Sequence, residues 1–218
     1  MRSLPLVLGA LAFAAPALAG TIAGQVQLKE KGGQSATDMS EVVVWVEGVK
    51  NVKPKPASAT MTMKAKAFSP HVVVVPVGGT VEFPNQDPIF HNVFSVSPEN
   101  KFDLELYKRP KSGSWTFKAP GIAKVYCNIH PQMAAIVVVR DSPYYAMVAK
   151  DGRYSIEGVP AGKYQVFAWH ERAGESALDL TVPADGSIAA NFALDASTYK
   201  RVQHKNKFGK DYATGEKY

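Results

Sequence analysis

The sequence predicts an all-β protein made of two β-sandwiches, and three observations lead to that expectation. The apolar runs are short and rich in β-branched residues, turn signals recur about every ten residues, and no stretch carries a long helical period. At 46% hydrophobic and 20% charged, the composition is that of a folded chain, which excludes wholesale disorder.

The elements follow in order. Residues 1–19, MRSLPLVLGALAFAAPALA, place one charge at Arg2 before an apolar run that closes on small residues, which is the pattern of a cleaved export signal with the cut after Ala19. The run is short, contains Pro5 and Pro16 and lacks a basic stop-transfer flank, so a membrane anchor and stable membrane insertion are not expected. Gly20 stands where a lipid-anchored form needs a cysteine. Strands are predicted at EVVVWVE (41–47), HVVVVPV (71–77), TVEF (80–83), AAIVVV (134–139) and YQVFAW (164–169). Residues 101–108 read as a short turn. Residues 51–60, NVKPKPASAT, have the composition of a linker, and a second boundary falls at Asp141 to Pro143. The leading piece, 20–58, is too small to bury a core alone and is expected to join a trailing β-module at 144–195. The stretch 60–141 then becomes an inserted central module.

Charge is uneven. The chain carries a formal +6, and residues 196–218 hold Lys200, Arg201, Lys205, Lys207, Lys210 and Lys217 against Asp211 and Glu216. Such a segment reads as a flexible basic tail, either simply solvated or steering an acidic partner into place. No nucleic-acid partner is expected.

Cys127 is the only cysteine, so no internal disulfide forms, and a single thiol in an exported chain signals intermolecular pairing, reactivity or metal ligation. It lies in VYCNIHPQM, where Cys127, His130 and Met133 are spaced for one tight loop to gather them. His91, in DPIFHNV, adds a second imidazole from another strand end. A thiolate, two imidazoles and a thioether form the soft donor set of electron-transfer copper. Zinc is the competitor, and a thioether is a poor fourth ligand for it.

On these residues the stretch 62–140 resembles a cupredoxin, a type 1 blue copper protein with a Greek-key β-sandwich. AFSPHVVVVPVGGTVEFPNQDPIFHNV is similar to the family's first half and FKAPGIAKVYCNIHPQMAAIVVV to its second, with a CNIHPQM loop of the amicyanin type. The resemblance implies His91, Cys127 and His130 as equatorial ligands of one copper ion and Met133 as the axial ligand. It also implies that Asn92 offers its backbone N–H to the thiolate, although a plain turn or strand role for Asn92 remains open. Uncharged residues around His130, with Pro88, Ile89 and Phe90, would form the electron port. The type 1 site has no open position for substrate, so an enzyme is not expected.

Other candidates are weaker. His71 and His170 read as structural, and Met61 and Met63, at period two, read as one face of a strand rather than as Cu(I) contacts. The trailing stretch DGRYSIEGVPAGKYQVFAWHERAGESALDLTVPADGSIAANFAL resembles the carboxypeptidase regulatory-like or transthyretin-like sandwich, which implies a scaffold and no chemistry.

The expected function is that of a periplasmic copper protein passing single electrons between redox partners such as a cytochrome or a periplasmic oxidoreductase. The alternative is copper binding and delivery without a dedicated electron-transfer role. If the tail only steers, removing residues 200–218 slows electron transfer at low salt and leaves the copper spectrum unchanged.

Overall fold

The computed structural model describes residues 19–212, so the export-signal reading of the first residues lies outside the described part. The leading segment supplies β1 (Ala19–Lys29) and β2 (Val43–Glu47). Next come β3 (Ser58–Thr60), β4 (Thr62–Lys64), β5 (Ala67–Ser69), β6 (Val72–Pro76), β7 (Thr80–Pro84) and β8 (His91–Ser95). They are followed by β9 (Phe102–Tyr107), β10 (Ser112–Thr116), β11 (Gly121–Tyr126) and β12 (Ala134–Arg140). The remaining strands are β13 (Tyr145–Met147), β14 (Arg153–Pro160), β15 (Gly162–His170), β16 (Gly174–Val182), β17 (Ser187–Ala189) and β18 (Phe192–Asp195). The protein is nearly all β, and its only helical pieces among the described residues are two 3-10 turns.

Long-range pairing joins the two ends of the chain. β1 pairs antiparallel with β14 and parallel with β17 and β18, while β2 lies between β13 and β15 in a sheet extended by β16. The facing sides of these sheets enclose one core that includes Ile22, Val26, Leu28, Val44, Val46, Ile156, Val166 and Phe192. A second core lies between the sheet β6-β12-β11-β8-β9 and the sheet β10-β7-β3 with its β4-β5 hairpin. Phe83, Phe102, Phe117, Val125, Val137 and Val139 fill it.

The two units share a third apolar cluster, which explains why some strands read as unbroken apolar runs. Along β2, Val44 and Val46 enter the first core while Val43 and Trp45 point the other way, onto Val72, Ile136, Val138 and Trp169. Along β12, Ala135, Val137 and Val139 enter the second core while Ile136 and Val138 meet the shared cluster. A strand covered on both faces has no polar side to show. At the edge of this seam Trp45 stacks on Phe167 with 5.5 Å between centroids, and the Arg140 guanidinium lies 4.4 Å over the Trp45 ring.

Three expectations are corrected. Within residues 101–108, expected as a turn, Phe102–Tyr107 forms β9, paired antiparallel with β8, because FDLELY alternates and its period of two outweighs its polarity. The end of the presumed linker is β3, which pairs parallel with β7. The tail does not hang free as far as it is described. Ala196 is buried, and residues beyond it lie against the loop that carries Cys127.

His71, just before β6, and Glu171, just after β15, tie the units together at 2.6 Å. The Glu171 carboxylate raises the His71 pKa against the opposing pull of burial, and the His71 ring in turn lowers the pKa of Glu171. The stability gained from a raised His is complete below its unfolded value of about 6.5 and fades as pH rises through its folded value. That from a lowered Glu is complete above about 4.3 and fades as pH falls. The melting-temperature advantage of the wild type over His71→Gln is therefore expected to peak between about pH 4.5 and 6.5 and to shrink on either side. A pH-independent difference in thermal scans would show that the pair carries no net charge coupling.

Candidate metal centre

Two strand ends and one tight loop build the site. β11 delivers Cys127, the chain reverses, and β12 begins directly after Met133. The loop closes on itself: the Cys127 N–H donates to the Met133 carbonyl at 3.2 Å and the Met133 N–H to the His130 carbonyl at 3.0 Å. His91 arrives from the start of β8, after the turn 85–88.

The structure brings His91, Cys127 and His130 together. Their ligand atoms all lie within 4.8 Å of one another, and all three residues are buried. Cys127 Sγ is 4.0 Å from His91 Nδ1 and 3.6 Å from His130 Nδ1, and the two Nδ1 atoms are 3.0 Å apart. This is the only such cluster among the described residues. Met133, fully buried, stands in the same loop and is linked to Cys127 and His130 through its backbone.

The surroundings prepare these atoms for a cation. His91 Nε2 faces Asp87 Oδ2 at 2.8 Å, which fixes the ring with Nε2 on the carboxylate and Nδ1 turned toward the cluster. Asp87 is itself locked by backbone N–H groups of Ala65 and Lys66 at 2.8 and 2.9 Å. Burial works against its charge, yet these amides and the His91 ring outweigh burial and hold its pKa below the usual carboxylate range. Burial, together with the neighbouring His91, brings His130 down to about 4, so its ring is neutral at neutral pH. His130 Nε2 is buried with no hydrogen-bond partner among the described residues. With Nδ1 holding a metal, the ring hydrogen of His130 would sit on that orphaned nitrogen.

The thiol is held in the same way. Burial raises the Cys127 pKa, while amides of Asn92, Ile129 and His130 oppose the rise. The Asn92 N–H points at Sγ from 3.5 Å. The Asn92 side chain donates to Asp103 Oδ1 at 2.7 Å and to the Glu105 carbonyl at 3.0 Å, where β8 and β9 shift register. The donor set is thus one sulfur and two imidazole nitrogens, buried and prearranged, and it fits a soft or borderline metal ion.

The expected apolar surroundings divide in two. Pro88, Ile89, Phe90, Leu106 and Ile129 form a dish at His130, whereas Pro131 and Gln132 face the segment 199–204. Met61 and Met63 are fully buried in the second core. His170 is buried and brought to about 4 by burial and by Arg172, while its neighbour Glu171 is engaged with His71, so no second ligand pair forms there. Sequence reasoning passed over Asp87 and Asp103. A carboxylate four residues before a ligand histidine was the available signal for the first, and the second had none.

No family model and no curated protein matches this chain. Among solved structures it is similar to a novel purple cupredoxin from Nitrosopumilus maritimus, with 27% identity over 37% of this chain and 98% of that one at a TM-score of 0.34. It is also similar to a copper-containing nitrite reductase from Thermus scotoductus SA-01, with 30% identity over 42% of this chain at a TM-score of 0.35, and there it spans only 24% of the enzyme. A reduced amicyanin variant matches at 27% identity over 38% of this chain and 82% of that one, with a TM-score of 0.35.

Replacing Asp87 by Asn removes the charge that orients His91 and keeps the shape. Copper affinity, read by competition with a chelator, is expected to fall about 10- to 100-fold. An unchanged affinity would mean that Asp87 serves only to brace the turn at Ala65 and Lys66.

Proposed function

We propose that this chain is a type 1 copper protein that carries single electrons, with His91, Cys127 and His130 as the strong ligands of one copper ion and Met133 as a weak fourth. The observation that carries this reading is the buried convergence of one sulfur and two imidazole nitrogens within 4.8 Å. Copper supplies a one-electron couple that no side chain here provides. The protein contributes restraint: Asp87 fixes the His91 ring, Asn92 directs its N–H at the sulfur, and the short loop ties Cys127, His130 and Met133 into one unit. Ligands that do not move between oxidation states keep the reorganisation on electron transfer small.

Electrons enter and leave through the His130 side. Phe90 and Leu106 are each about half exposed there, an apolar rim that a partner can dry on brief contact, and it carries one positive charge, Lys108, 5.2 Å over the Phe90 ring. The partner is a redox protein, a cytochrome or an oxidoreductase, and the location is the periplasm, in keeping with the export-signal pattern of the sequence. Among the described residues no helix is long and apolar enough to cross a membrane. The two features that favoured copper delivery are otherwise engaged, because Met61 and Met63 fill a core and the described part of the tail is fastened down.

The test is one equivalent of Cu(II) added to the purified protein, beside Cys127→Ser. An intense visible thiolate-to-copper band, absent in the variant, bleached by ascorbate and restored by ferricyanide, is expected. A colourless protein, or one that takes zinc in preference, would falsify the reading.

A further inference from the structure

The segment after β18 makes contacts that a solvated tail does not make. The Tyr212 hydroxyl donates to the carbonyl of Cys127 at 2.7 Å. The Lys207 backbone N–H donates to Asn128 Oδ1 at 2.9 Å, on the residue that follows the thiol. The His204 ring stacks on Tyr126, the residue that precedes it, with 4.0 Å between centroids at 18°. Tyr212 then meets His204 edge-on, its hydroxyl 3.2 Å from His204 Nδ1. Residues 126, 127 and 128 are thus each held by the segment 204–212.

A second path reaches the sulfur through side chains of β8 and β9. Lys207 Nζ pairs with Asp103 Oδ2 at 2.6 Å and with Glu105 at 3.2 Å. Asp103 Oδ1 accepts from the Asn92 side chain, and the Asn92 backbone N–H points at Cys127 Sγ. The ammonium thereby steadies the carboxylate that holds the residue donating to the thiol. Grease does not explain this attachment, because Val202 and Phe208, the large apolar side chains of the segment, are 83% and 69% exposed. Directional polar contacts at defined atoms do explain it.

We propose that residues 199–212 form a strap belonging to the metal centre, in which Lys207 and Tyr212 are positioning residues that fix the Cys127 sulfur through Asp103 and Asn92 on one path and through the Cys127 carbonyl on the other. The proposal rests on the copper reading above for its consequence in the loaded protein. It also reverses the expectation that removing residues 200–218 leaves the copper spectrum unchanged.

The experiment uses the full chain with Tyr212→Phe and Lys207→Met, each alone, and Lys118→Ala as a control at an exposed lysine outside the strap. Three quantities are read: the position and intensity of the thiolate-to-copper band, the reduction potential, and the rate at which iodoacetamide alkylates Cys127 in the metal-free protein. Each strap variant is expected to shift the band, lower the potential and speed alkylation by about tenfold, the factor that goes with one lost hydrogen bond, while Lys118→Ala matches the wild type. Unchanged band, potential and alkylation rate in both variants, with melting temperature retained, would reduce the strap to a surface covering and overturn the proposal. If the wild type takes up no copper, the proposed function falls by itself, because the alkylation rates still report on the strap without metal.

Discussion

Placing a thiol and two imidazoles where water does not reach obliges the surrounding chain to replace every partner those atoms lose. Much of the structure around β11 and β12 answers that demand. The turn at Ala65 and Lys66 turns its amides toward Asp87, which frees Asp87 to hold His91. The irregular pairing of β8 with β9 lets Asn92 bond sideways to Asp103 while its own N–H faces the sulfur. Among the described residues His130 Nε2, on the residue that borders the apolar dish, and Asn92 Oδ1 are still without a partner.

The second constraint is the seam between the two units. Val43, Trp45, Val72, Ile136, Val138 and Trp169 are all buried there, on the far sides of sheets whose other faces already cover a core. β12, which leaves directly from the metal loop, is therefore held by apolar contact on both faces. The loop 127–133, anchored to such a strand, has little freedom to change shape.

The strands richest in valine were legible because burial on one or two faces selects β-branched residues whatever the partner strand. The candidate site was legible because metal chemistry restricts residue type and spacing together, and the structure gathers His91, Cys127 and His130 into one cluster. β9 was not, since an edge strand reading FDLELY shows alternation too brief and too acidic to stand out beside a turn. Nor was the strap. Lysine, asparagine and tyrosine in 199–212 look like a solvated segment until partners about a hundred residues earlier, Asp103 and Glu105, are in place to receive them. Asp87 was passed over as a turn residue because its role depends on amides from a hairpin more than twenty residues away.

β1 has a consequence for the order in which the protein assembles. It leaves the ribosome first among the described elements, yet its partners are β14, β17 and β18, all in the last third of the described chain. Pairings so distant in sequence are slow to form, because loop-closure entropy is lost before any contact rewards it. The strands from β3 to β12 find all their ladder partners within their own stretch. The ligand-bearing half can thus reach its shape while β1 still waits, and the strap, synthesised last, closes over a loop that is already folded.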